Sequence, residues 1–178
     1  LSNFYGPKID KLSSMRANKA DLLNLLSSDQ NTYQWVVFAT HGFFDKNLSG
    51  LREPFLALTM VPPGTDGFLK MSDVMSLRIN TDLVALTACQ SGLGKELSGE
   101  GIMSMGRAFQ YSGARSVLMS LWSVVEKPSV MLVESFFKNL KKTKNKSEAL
   151  KLARQEVRSS GYDHPFFWAS FIPVGEKD

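Results

Sequence analysis

A single cysteine, Cys89, and two histidines, His41 and His164, are the residues of this chain best suited to nucleophilic chemistry. Cys89 ends the apolar run Asp82-Leu-Val-Ala-Leu-Thr-Ala-Cys89 and is followed by glycines at Gly92 and Gly94. His41 stands after a second run, Trp35-Val-Val-Phe-Ala-Thr40, and directly before Gly42. A thiol beside an imidazole suits acyl transfer. The imidazole favours the thiolate and, once protonated, hands its proton to a leaving amine. Glycine after the histidine lets the backbone turn sharply and approach a bound group. The backbone N–H groups of Gly42 and Cys89, both in turns at strand ends, are candidates for an oxyanion hole. Residue types alone leave a plainer reading open, in which Cys89 is a small buried hydrophobe and His41 a hydrogen-bonded structural residue.

Both runs lack polar alternation, which is the pattern of strands buried on two faces of a parallel sheet. In such a sheet the C-terminal ends of the strands share one side, where open α/β folds place their ligand sites. The rest of the chain supplies elements to hold them. Asn18 is placed to cap a helix with Asp21 at N3, turning Leu22, Leu23, Leu25 and Leu26 inward. Strands are expected at 34–40, 54–60, 82–88 and 115–122, with a short return at 67–70. Ser72 or Asp73 is expected to cap a short helix through Leu77. Further helices are expected over 101–112, ended by Gly113, from Pro128 to Leu140, and from a cap at Ser147 to Ser159. Residues 166–174 read as a closing strand. Strands alternating with helices predict an α/β fold, with a largely parallel central sheet and helices on both faces.

Composition narrows the function classes. The chain has 178 residues with 43% hydrophobic and 21% charged content, the profile of one ordinary globular domain with a real core. The net charge of +4 is modest. The lysines that cluster (Lys138, Lys141, Lys142, Lys144, Lys146) read as a solvated helix end rather than a nucleic-acid surface, since no aromatic residues interleave with them. One cysteine forms no internal disulfide, and no secretory signal peptide is visible, so a cytoplasmic protein is expected. No apolar run approaches the roughly 20 residues that span a bilayer, so no membrane partner is expected. The chain begins without methionine and reads as the C-terminal piece of something longer. No cofactor is expected. Ser91 is not in a Gly-x-Ser-x-Gly elbow, Gly94-Lys95 lacks the rest of a phosphate loop, and the histidines and cysteine are too scattered for a zinc site.

Several blocks resemble the CHAT domain, a caspase-like cysteine peptidase family related to separase. They are Phe38-Ala-Thr-His-Gly-Phe-Phe-Asp45, Asp82-Leu-Val-Ala-Leu-Thr-Ala-Cys-Gln-Ser-Gly-Leu-Gly94, Gly99-Glu-Gly101, Ala108-Phe-Gln-Tyr-Ser-Gly-Ala-Arg-Ser-Val117, Ser120-Leu-Trp-Ser123 and His164-Pro-Phe-Phe-Trp168. The resemblance implies a caspase-like three-layer sandwich, with His41 as general acid/base and Cys89 as nucleophile. It also implies an upstream helical-repeat or sensor region, and a protein substrate such as a gasdermin-like protein or another defence-system partner. Specificity departs from the relatives. Caspases carry glutamine two residues before the cysteine, where this chain has Thr87. Separase has an acid directly after its Leu-Trp, where this chain has Ser123. Asp45, Asp73 and Glu126 are the remaining acids proposed for a substrate pocket. A catalytically silent interaction module on the same fold is the alternative.

Overall fold

A computed structural model describes residues 9–27, 32–43, 53–62, 66–87, 99–122 and 124–178. The main sheet has four strands in the order β1-β5-β6-β7, where β1 is Trp35–Phe38, β5 Thr81–Leu86, β6 Ala114–Ser120 and β7 Phe171–Gly175. β1, β5 and β6 are parallel and β7 returns antiparallel, so the largely parallel sheet predicted from the apolar runs is present. β5 is central and its side chains serve both faces, as its unbroken apolar run requires. Val84 and Leu86 join one core, and Leu83 and Ala85 the other.

The first core is covered by α1 (Lys19–Ser27), α2 (Met71–Ser76) and α3 (Gly99–Tyr111). Asn18 caps α1 as expected: its Oδ1 accepts the Asp21 N–H at 2.9 Å, and its Nδ2 donates to Asp21 Oδ2 at 3.0 Å. Leu22 and Leu26 are buried beneath α1, whereas Leu23 and Leu25 are only half-buried. The second core lies under α4 (Glu126–Thr143) and α5 (Lys146–Ser159). There Leu132, Phe136 and Phe137 meet Leu150, Ala153 and Val157, the inner positions legible from helical spacing. Helices therefore cover both faces.

Other local expectations need correction. The segment expected as a strand over 54–60 is strand only at β3 (Phe55–Ala57). It lies in a separate antiparallel sheet between β2 (Gly42–Phe43) and β4 (Phe68–Lys70). The helix α2 starts at Met71 with Lys70 as its cap residue; Asp73 sits at N3 and accepts the Lys70 N–H at 2.8 Å. The cap of α5 is Asn145, whose side chain accepts the Glu148 N–H at 2.9 Å, and Ser147 falls inside the first turn. Residues 166–174 do not form one strand. Pro165 opens a short helix, α6 (Pro165–Trp168), because proline suits a first helical position and His164 Nδ1 accepts the Phe166 N–H at 3.2 Å. The strand begins only at Phe171.

Lys146 does not belong to the solvated lysine cluster. Its side chain is fully buried, with Nζ 2.8 Å from Asp82 Oδ1 and 2.6 Å from the main-chain oxygen of Asp178. A charge taken out of water needs such partners, and here they come from β5 and the C-terminal residue.

Candidate active site

His41 lies where the chain leaves β1 for the second sheet. Two contacts to Ala57 of β3 fix the backbone around it. The Ala57 N–H donates to the His41 carbonyl at 2.7 Å, and the Thr40 hydroxyl donates to the Ala57 carbonyl. The His41 side chain is exposed, on the side of the main sheet to which β1, β5 and β6 run. Because Ala57 and His41 are hydrogen-bonded, the alternation of an antiparallel ladder turns the next residue, Gly42, away from β3. The Gly42 N–H is thus not consumed by that pairing.

β5 delivers its own C-terminal end beside that of β1. The two strands are in register from Trp35 opposite Leu83 to Phe38 opposite Leu86. The ladder continues one residue further, because the Thr87 N–H donates to the Phe38 carbonyl at 3.0 Å. The Thr87 hydroxyl donates to the same carbonyl at 3.1 Å. Thr87 is therefore tied to the histidine-bearing strand. Cys89, Asp45 and Ser123 lie outside the described residues.

β6 adds a third border to this edge. The Leu121 N–H donates to the Ser170 carbonyl at 2.9 Å, and Trp122 Nε1 to the Phe166 carbonyl at 3.2 Å. The Ser120 hydroxyl donates to the Trp122 carbonyl at 2.5 Å. The Leu-Trp segment is thereby pinned to α6 and the start of β7.

The sequence matches the CHAT domain profile over residues 2–176, nearly its whole length. This chain belongs to the CHAT domain family. It is also 34% identical over 115 residues to tetratricopeptide repeat protein 28 of Mus musculus, and 35% identical over 115 residues to the Homo sapiens protein of that name. Each match covers 64% of this chain and 5% of the relative, so the chain spans a small part of the curated relatives it matches. The mixed α/β architecture, with its largely parallel sheet between helices, is compatible with the caspase-like sandwich of CHAT domains.

The acids proposed for a substrate pocket have separate engagements in this CHAT domain. Asp73 caps α2 and pairs with Lys19 Nζ at 2.7 Å. Glu126 is exposed at the first turn of α4, where a carboxylate complements the helix N-terminus. Neither lines the groove that opens at His41, a cavity of about 670 Å³ running along β1. No cluster of three or more metal-ligating side chains occurs among the described residues. No described helix is long and apolar enough to cross a membrane. The clamp on His41 by Thr40 and Ala57 was not foreseen. A backbone amide carries no residue-type signal, and only Thr40, directly before the histidine, hinted at it.

Proposed function

We propose that this CHAT domain is a cysteine endopeptidase in which Cys89 is the nucleophile and His41 the general acid/base. The observation that carries the reading is the register of β1 and β5. Paired positions differ by 48 residues, as in Trp35 and Leu83, and the same number separates His41 from Cys89. The strands that precede the two reactive residues in sequence are therefore neighbours, parallel, and aligned position for position.

In the proposed reaction the thiol proton passes to the His41 imidazole and the thiolate attacks the scissile carbonyl carbon. The oxyanion so formed is met by the N–H groups of Gly42 and Cys89. Collapse expels the amine, which takes the proton from His41, and leaves a thioester on Cys89. Water, deprotonated by His41, then releases the acid and restores the thiol. Thr87 and Ser123 border the substrate side chain in this reading, and a neutral or apolar residue is preferred there. Asp45, offered as an acid for a basic substrate side chain, has no role in this neutral-pocket reading, and Asp73 and Glu126 are better read as helix-terminal charges. The substrate is a specific protein partner, and activity is governed by a repeat or sensor region elsewhere in the polypeptide, as the repeat-containing relatives support. The defence role implied by the resemblance stays part of this proposal.

Alkylation tests the pair directly. Iodoacetamide should modify Cys89 readily near pH 6–7, and His41→Ala should slow that reaction roughly tenfold or more, because the imidazole that favours the thiolate is gone. A slow reaction that His41→Ala leaves unchanged would sink the reading. The second reading, a silent docking module, is favoured by the open groove beside β1, which can hold a partner whether or not Cys89 reacts.

A further inference from the structure

The stretch from Phe38 to His41 is held from two sides. On one side lies β5, whose Thr87 gives both its N–H and its hydroxyl to the Phe38 carbonyl. On the other lies β3, where Ala57 turns both main-chain groups toward this stretch. Its N–H donates to the His41 carbonyl, and its carbonyl accepts from the Thr40 hydroxyl. The next residue, Leu58, faces the opposite way and gives its N–H to the Gly67 carbonyl, just before β4. Such alternation belongs to an antiparallel strand with a neighbour on each side.

The pairing at His41 departs from a regular ladder. Extending the register of Gly42 with Leu56 by one step sets His41 opposite Ala57. In a regular hydrogen-bonded pair of this kind, the carbonyl of each residue accepts the N–H of the other. Here the Ala57 carbonyl receives a side chain, that of the residue before the histidine. The histidine thus leaves the sheet at a point set by the Thr40 hydroxyl. Satisfying that carbonyl is not reason enough for the hydroxyl, because Ala57 is only half-buried and water meets such a group nearly as well. What a side-chain donor adds is a fixed place. Threonine is stiff about χ1, so its bond fixes the Thr40 backbone and, through it, that of His41. Gly42, next along, has no side chain to do the same.

We propose that Thr40 is a positioning residue for His41, its hydroxyl on the Ala57 carbonyl holding the histidine where the proposed reaction uses it. The inference rests on the reading of His41 and Cys89 as the reactive pair, and Thr40 acts only through the histidine. A group that accepts and returns a proton must be held close to its partner and correctly oriented, and small displacements cost rate steeply. Packing restrains an exposed side chain less than a buried one, so the ties on the exposed His41 carry more of its placement. The small sheet β2-β3-β4 is on this account the support of the histidine, and Thr40 is the side chain that fastens it there.

The test compares the full-length polypeptide with Thr40→Val, which keeps the shape and loses the hydroxyl, and with Thr40→Ser, which keeps the hydroxyl. Residue-resolved hydrogen exchange reads the backbone first. In Thr40→Val the Ala57 amide should exchange about tenfold faster, with Val84 in β5 unchanged and Thr40→Ser close to the unaltered chain. An unchanged Ala57 amide, or an equal rise at Val84, would overturn the proposal whatever Cys89 does. Iodoacetamide then reads the pair. At about pH 6.5, Thr40→Val should slow alkylation of Cys89 about tenfold, and Thr40→Ser should restore it; the gap should close above about pH 9, where a free thiol ionises unaided. A loss equal at both pH values, or shared by Thr40→Ser, would mean a merely structural residue and contradict the proposal. His41→Ala separates the two claims. If it slows alkylation at about pH 6.5 and Thr40→Val does not, the pair stands and the role of Thr40 falls. If His41→Ala has no effect, the reading of the pair fails and the proposal falls with it.

Discussion

Thr87 is bound twice to one atom of the neighbouring strand: its N–H and its hydroxyl both donate to the Phe38 carbonyl, at 3.0 and 3.1 Å. Phe38 is three residues before His41, and Thr87 two before Cys89. This double contact is the last described link between the two strands. Thr87→Val keeps the backbone bond and removes the hydroxyl. It should lower stability by about 1 kcal/mol, the net worth of one such hydrogen bond, without disrupting the fold. Urea denaturation followed by circular dichroism measures it.

The buried Lys146 should be far less tolerant. Lys146→Ala leaves Asp82 without its partner and empties space beneath the C-terminal residues. Asp82 retains 27% side-chain exposure, so we expect a loss of about 3 kcal/mol, at the lower end for breaking a buried pair. Replacing both partners by apolar residues, Lys146→Met with Asp82→Leu, should recover much of that loss. Denaturant midpoints of the single and double variants decide it.

Gly113 is held at a φ of +115°, and a β-carbon there would lie 2.0 Å from the Ile79 carbonyl oxygen. The approach is fixed, because the Ile79 N–H bonds to the Ser112 carbonyl at 2.8 Å. Gly113→Ala should therefore cost at least about 2 kcal/mol through backbone strain and the clash it forces. A thermal melt of the variant gives the answer.

Tyr33, which lines the groove, has its phenol pushed up to about 12, first by burial and then by its 2.7 Å bond to Asp10 and that carboxylate's charge. The folded value exceeds the ordinary 10, so the neutral phenol is favoured in the folded state. Its contribution to stability is fully present below pH 10 and is lost as pH rises through 12. Ultraviolet titration should show one late-ionising tyrosine that disappears in Tyr33→Phe. Asp10→Asn should move that transition downward.

How far the sequence reveals this molecule depends on the range of the forces involved. The runs at Trp35 and Asp82 read as strands of one parallel sheet because continuous apolar character has few other outcomes; β5 is buried as that pattern implies, while in β1 only Phe38 is, because β1 is paired on one side alone among the described residues. Asn18 and Asp21 announced their helix because capping is local. The aromatic run Phe166-Phe167-Trp168 was misread as strand, since the cap at His164 and Pro165 outweighs its β propensity. Lys146 was misread as solvated because its partner, Asp82, is 64 residues away, beyond any local pattern. Asp73 looked available for a pocket only until Lys19 was found against it. Beside His41, the strand that leads to the histidine was legible in the apolar run from Trp35, while the Ala57 amide that fixes the His41 backbone was not.

The central claim is that Cys89 and His41 cut peptide bonds. The most direct measurement exposes a diverse peptide mixture to the protein, and to Cys89→Ala, with and without the remainder of the polypeptide, and reads the cuts by mass spectrometry. The account predicts cuts that vanish in Cys89→Ala and follow a neutral or apolar residue. Cuts that persist in Cys89→Ala, or no Cys89-dependent cut under any of these conditions, would contradict it.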